Sequence, residues 1–194
     1  MRQGKDQQKE ENEMLKTYRF RVVGVSPLLM HNPASMANSG EARRKTIPTP
    51  EEEAEAGCYR DSDGMLVFPS VAFRNAVLKA AGGLKIGRKT LRSILSHIRM
   101  DAEYVRLVDP ETGEPLRDYD IDIRRAVVQR QGVHRARPRL DRWAAELGFV
   151  VETEIVPQNI EEILAKVLNE AGYTVGVGDY RLEKNGWFGM FDVQ

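Results

Sequence analysis

Two groups of residues in this 194-residue chain have the types and spacing for chemistry with a large anion. The first is Gly176-Val177-Gly178-Asp179-Tyr180-Arg181, followed by Lys184 and by Asn185-Gly186-Trp187-Phe188-Gly189. Glycines this close together let a backbone bend sharply and bring its N–H groups against a bulky partner, because no Cβ intervenes. Arg181, Lys184 and Tyr180 add charge and a ring to the same loop, a pairing that suits a polyanion bearing flat bases. The bland alternative is a tight turn between a helix and the last strand. The second group holds Arg124, Arg125, Arg130, Arg135, Arg137, Arg139 and Arg142 against one acid, Asp141, with Trp143 following. Guanidinium groups pair with phosphates and stack on bases, so this segment is expected to contact nucleic acid rather than to be only a solvated hairpin.

Smaller groups are weighed against these. His31, after the first strand, could act as a general acid or base on RNA if a cation such as Arg43, Arg44 or Lys45 offset the phosphorane charge. A lone loop histidine is far more often a packing or hydrogen-bonding residue, so His31 is a weak catalytic candidate and no catalysis is expected. His97 and His134 read as contacts. Asp118, Asp120 and Asp122 alternate along one strand face; oxygen clusters of this kind can hold Mg2+, but alternating acids are usually the solvent face. No metal and no cofactor is expected. The strip from Glu51 to Glu55 reads as a soluble surface that could also meet the arginine segment of a neighbouring copy and drive head-to-tail assembly.

Composition bounds these readings. Lys plus Arg and Asp plus Glu both number 29, so the net charge is zero, which argues against coating nucleic acid by bulk attraction; the charge is instead polarised along the chain. No apolar run approaches the roughly 18 residues that span a membrane. A lone Cys58 excludes an intrachain disulfide framework and a cysteine-based zinc site, and fits a reducing compartment, so a cytoplasmic protein is expected. Residues 1–16 are polar and read as a disordered tail ahead of one domain over 17–194.

The elements that must position these residues follow from periodicity. Thr17 to Val25 alternates as a strand, and the Pro-rich stretch 26–50 reads as a long functional loop within an insertion spanning 26–66. A short acidic helix is expected over 50–56. A brief apolar segment, 65–68, precedes a helix with Phe73, Ala76, Val77, Ala80 and Ala81 on one face, capped by Ser70 and stopped at Gly82-Gly83. A more basic helix is expected over 88–98. Strands over 102–108 and 116–128 form a hairpin, the arginines of 124–142 form a protruding basic hairpin or loop, and 143–155 is a long strand. Asn159 with Glu162 marks a capping box for a helix ending at Gly172, and Trp187 to Val193 closes the chain as a strand. This order matches an α+β, ferredoxin-like (RRM-like) βαββαβ core with a long insertion after strand 1 and a basic β-hairpin insertion.

The chain resembles the RAMP superfamily, the repeat-RNA-binding subunits of CRISPR effector complexes. Gly176 to Arg181 with Gly186 and Gly189 is similar to that superfamily's glycine-rich loop behind the last helix. Phe68-Pro69-Ser70-Val71-Ala72-Phe73-Arg74-Asn75-Ala76 is similar to its strand-to-helix segment, departing at Val71, Ala72 and Asn75. Within the superfamily the chain looks most like the backbone subunits, which polymerise along guide RNA and push a β-hairpin between nucleotides. The resemblance implies Arg74, Gly176, Gly178, Tyr180, Arg181 and Lys184 as contacts. Some relatives cleave target RNA with an Asp after the first strand; no Asp lies between Ser26 and Pro50, so that activity is not implied.

The expectation is a sequence-independent binder of single-stranded RNA or DNA, assembling as a homo-oligomer along the strand, with bases stacking on Tyr180, Phe73 or Trp187. The alternatives are a metal-independent endoribonuclease using His31 and a protein-interaction or inhibitor module of the same fold.

Overall fold

The computed structural model describes residues 14–33, 48–128 and 131–194, with the side chains of 126–131 outside the description. Arg43, Arg44, Lys45 and Arg130 therefore lie outside the described residues, as does most of the expected N-terminal tail.

Strand β1 (Leu15–Gly24) alternates as its sequence requires, with Tyr18, Phe20 and Val22 buried and Arg19 and Arg21 exposed. It pairs antiparallel with β10 (Ala144–Glu152), setting Tyr18 against Phe149, Phe20 against Leu147 and Val22 against Ala145. The Phe20 and Phe149 rings meet edge to face at 6.0 Å. On its other side β1 pairs with β11 (Phe191–Val193), while β10 pairs with β7 (Tyr104–Val108) and β7 with β3 (Val67–Pro69). The sheet order is β11-β1-β10-β7-β3, all antiparallel, with β6 (Arg99–Met100) also on β10.

Helices α2 (Ser70–Ala80) and α4 (Ile160–Thr174) pack together and bury Phe73, Ala76, Val77, Ile160, Leu164, Leu168 and Ala171 in one core with Phe20, Leu147 and Phe149. The opposite sheet face is charged: Arg19 pairs with Asp101 at 3.0 Å and Glu146 at 3.8 Å. The molecule is thus α+β with antiparallel sheets.

A second sheet, β2-β9-β8, holds the arginines. Strands β8 (Asp120–Val128) and β9 (Gln131–Leu140) form a long hairpin that opposes Asp122 to Arg137 and Arg124 to Arg135, and β2 (Leu28–Leu29) pairs with the base of β9. Helix α1 (Pro50–Ala56) lies against β9. Its N-terminus has the capping box that Thr49 and Glu52 allow, Glu52 N–H donating to Thr49 Oγ1 at 3.2 Å and Thr49 N–H to Glu52 Oε2 at 3.1 Å.

Several local expectations are corrected. The basic helix expected over 88–98 is a small hairpin, β4 (Lys85–Ile86) and β5 (Lys89–Thr90), followed by the short α3 (Leu91–Leu95). Gly87, at φ +59, makes the tight turn of that hairpin, and Arg88 to Thr90 follow it into β5 instead of opening a helix. Ser70 does not cap α2; its hydroxyl donates to the carbonyls of Ala102 and Glu103, tying the helix start to the chain before β7. Asn159 occupies the cap position of α4 without a side-chain cap bond. Helix α4 passes Gly172 to Thr174, because Gly172 serves packing instead: a Cβ there would meet Phe191 O at 2.0 Å. The last strand is Phe191–Val193 alone, and Trp187 to Met190 belong to the glycine loop.

Candidate functional site

The glycine loop between α4 and β11 is a two-layered turn whose backbone packs on itself. Gly176, Gly178 and Gly189 have φ of +70, +80 and +64, and Tyr180 is held at +49. A Cβ on Gly189 would sit 1.7 Å from Val177 O, one on Gly186 1.6 Å from Tyr180 O, and one on Gly178 2.6 Å from Leu29 O. These glycines are demanded by close approach inside the protein. The loop N–H groups are largely spent the same way: Val177 donates to Gly189 O at 2.9 Å, Asp179 to Leu29 O at 3.0 Å and Gly189 to Pro27 O at 2.8 Å. Among the described residues the Gly178 N–H has no acceptor.

The arginine hairpin and the glycine loop are each other's partners. Arg137, only 7% exposed, places Nε 2.5 Å from Asp179 Oδ2 and its guanidinium 5.1 Å from the centre of the Tyr180 ring. The contact is a close ion pair without hydrogen-bond alignment, and Arg137 Nη1 is buried with no acceptor among the described residues. Arg124 stacks 4.3 Å from the Phe188 ring and donates through Nε to Asp122 Oδ1 at 2.5 Å. Tyr180 Oη donates to Arg125 O at 2.9 Å. Tyr180 is thus wedged against the hairpin.

Most described arginines of the segment have an acidic partner. Arg135 pairs with Glu53 at 2.8 Å, Arg139 with Asp141 at 2.6 Å and Asp122 at 3.7 Å, and Arg142 with Glu111 at 2.6 Å. Glu53 also accepts from Ala136 N–H at 3.0 Å, so the acidic helix meets the arginine strand within the same chain. Asp118 and Asp120 are exposed, as the solvent-face reading has it, but Asp122 is inward and 8% exposed, which corrects that reading at this position. Arg125 is the exposed guanidinium that keeps no acidic partner among the described residues. Arg74 donates to Ile98 O at 2.6 Å and Ser96 O at 2.8 Å, which fixes α2 to the segment around α3.

Phe73, expected to stack on bases, and Trp143, which follows the arginine segment, are both unavailable. Phe73 is fully buried between Phe68, Trp143 and Phe191, and Trp143 is fully buried with Nε1 donating to Ser26 O at 2.9 Å. Trp187 is 53% exposed, with its ring 4.8 Å from Phe188. Lys184 is exposed.

What the fold does bring together is a cleft of about 540 Å3 between α2 and the glycine loop. His31, Tyr59, Val71, Asn75, Lys79 and Arg181 line it, with Gly176 to Asp179 as one wall. Glu183 bridges its two sides, accepting from Lys79 on α2 and from Arg181 Nε at 3.1 Å. The hydrogen bond from Lys79, aided by Arg181, holds the Glu183 carboxyl below the usual carboxylate range. Nearby Cys58 is buried, and burial followed by the Glu55 charge pushes its thiol up to about 11, so it is not a nucleophile at neutral pH. The sequence located His31, Gly176, Gly178 and Arg181 but missed Tyr59, Asn75 and Lys79. Asn75 and Lys79 are i, i+4 on α2, a spacing that marks one helix face without saying what it faces.

No protein-family model matches the chain, and no curated protein matches it.

Proposed function

We propose that the protein binds single-stranded nucleic acid through the cleft between α2 and the glycine loop, without reading sequence, and assembles side by side along the strand. The observation that carries this reading is the cleft itself. Its volume lies within the roughly 300–1,000 Å3 of pockets that hold small organic groups, and its lining mixes a ring, an amide, an imidazole and two cations that share Glu183. Those are groups that stack on a base, bond its edge and meet a phosphate.

The strand order β11-β1-β10-β7, with α2 and α4 as the two crossovers, supports a ferredoxin-like core carrying an added edge strand, β3. It also supports the RAMP likeness, since the glycine loop and the strand-to-helix segment quoted for it form opposite walls of the cleft. The outer sheet face, with Arg19, Arg21 and Glu146, offers no stacking platform of the RRM kind, so bases are assigned to the cleft and to Trp187. The strand edge at β8 supports lateral assembly.

Fluorescence anisotropy with matched single-stranded RNA, single-stranded DNA and duplex tests the proposal. Single strands should bind more tightly than duplex, and Val71→Glu, which places an acid at an exposed cleft position, should weaken them about tenfold. Equal binding of duplex, or an unaffected V71E protein, would overturn the reading. The presence of His31 in the same cleft as Lys79 and Arg181 favours a second reading, metal-independent RNA cleavage. RNA cut in the presence of EDTA by the wild type but not by His31→Ala would select it.

A further inference from the structure

Residues 82–100 contain Lys85, Arg88, Lys89, Arg92, His97 and Arg99 and no aspartate or glutamate. Five permanent cations in 19 residues stand out in a chain whose net charge is zero. Elsewhere nine described arginines, Arg19, Arg60, Arg106, Arg124, Arg135, Arg137, Arg139, Arg142 and Arg181, pair with acids, whereas Arg21 and Arg74 bond carbonyls. None of the five cations of 82–100 has an acidic partner among the described residues. All are exposed.

The fold displays them rather than hiding them. Every residue from Gly82 to Thr90 is exposed, and a Cβ added at Gly82, Gly83 or Gly87 would meet nothing within 4 Å. The β4–β5 hairpin is held only at its base, by Leu91 N–H on Leu84 O at 2.8 Å and by buried Leu91 and Leu95. Leu84 and Ile86 are 43% and 40% exposed on the same hairpin. Unpaired exposed cations repel one another, so such a cluster costs stability in the free protein and is relieved by an anion.

Position adds the second part of the argument. Lys79 of the cleft lies on the last turn of α2, and the hairpin leaves from the end of that helix. At the helix start, Val71 and Pro69 line both the cleft and a neighbouring hollow of about 500 Å3 where Arg74 and Arg99 stand beside Asp101 and Glu103. A chain lying along α2, about 16 Å long at 1.5 Å per residue, has Arg99 by its start and the hairpin by its end.

We infer that the acid-free surface formed by Lys85, Arg88, Lys89 and Arg92 is the main phosphate-contacting surface for a nucleic-acid strand whose bases enter the cleft. This rests on the nucleic-acid reading above and assigns its electrostatics to β4, β5 and α3 instead of to the β8–β9 hairpin. Each phosphate neutralised on a single strand contributes about 0.7 to the slope of log K against log salt. Replacing Lys85, Arg88, Lys89 and Arg92 with Gln should therefore flatten that slope by up to about 2.8. Across a fourfold rise in salt the variant should escape roughly a 50-fold loss that the wild type suffers.

The test is a salt series of anisotropy titrations with a single-stranded oligonucleotide, comparing wild type, the quadruple variant, V71E, and a control, Arg117→Gln with Lys166→Gln, at exposed sites outside both surfaces. A flattened slope in the quadruple variant, with the control unchanged, supports the inference. A slope equal to wild type in the quadruple variant overturns it, and if V71E still weakens binding the cleft reading stands without it. Failure of the wild type to bind any strand at low salt overturns both. Binding that persists on an acidic polypeptide of matched length with equal affinity overturns the assignment of this surface to nucleic acid.

Discussion

The contact between Arg137 and Asp179 joins the two motifs, and its asymmetry makes a sharp test. Arg137 is 91% buried at the side chain, whereas Asp179 is 32% exposed. Removing the carboxylate charge with Asp179→Asn keeps an oxygen for the Tyr180 N–H it accepts at 3.0 Å but strands a buried cation. Breaking a buried pair in this way costs about 3–5 kcal/mol. Arg137→Met removes the cation itself, retains an apolar stem over Tyr180, and leaves a carboxylate that water can reach. Its cost is the lost ion pair and stacking, about 1–2 kcal/mol. The double variant contains no stranded charge and should cost little more than R137M. Adding R137M to D179N should therefore raise stability by about 2 kcal/mol. At this chain length that is a recovery of roughly 4–8 °C in Tm. Urea unfolding followed by the fluorescence of buried Trp143 provides the free energies. Additive losses, with the double variant the least stable of the three, would refute the claim that the buried cation needs its acid.

The remaining predictions concern the loop, the thiol and pH. Gly189→Ala should cost more than about 4 kcal/mol or prevent folding, since its Cβ would lie 1.7 Å from a backbone oxygen, whereas Gly87→Ala, at φ +59 in open space, should cost only about 1–2 kcal/mol; thermal melts rank the two. Cys58, with its thiol pushed up to about 11, should react with a disulfide reagent at pH 8 at least a hundredfold more slowly when folded than in denaturant, and equal rates would contradict its burial. Glu183 has a folded pKa below its unfolded value of about 4.3. Its stabilisation is complete above pH 5 or so and is lost as pH falls through the folded value. Glu183→Gln should lower stability at pH 7 and show a shallower decline than wild type below pH 5, measured by urea midpoints.

Much of the scaffold was legible because local patterns matched their tertiary use. The alternation in Tyr18, Phe20 and Val22 set β1, the apolar face from Phe73 to Val77 set α2, and Ile160 to Ala171 set α4. The acidic helix over 50–56 and the strand-rich arginine segment were also readable. Misreadings came where a residue serves a distant partner. Ser70 bonds carbonyls ahead of β7 instead of capping, Gly172 clears space for Phe191 instead of ending a helix, and Gly87 turns a hairpin whose second strand takes the start of what looks like a helix.

The sequence by itself determined which residues are apolar, where chain direction can reverse, and that cations cluster in two places, over 82–100 and 124–142. It could not determine which cluster is free. Acidic partners arrive from remote positions, Glu53 to Arg135, Asp179 to Arg137 and Glu111 to Arg142, and only the folded chain brings opposite charges to within 2.8 Å or less. Coulomb attraction depends on distance in space and on the surrounding dielectric, not on separation along the chain. For that reason the richer arginine segment became internal structure, and the plainer one was left facing solvent.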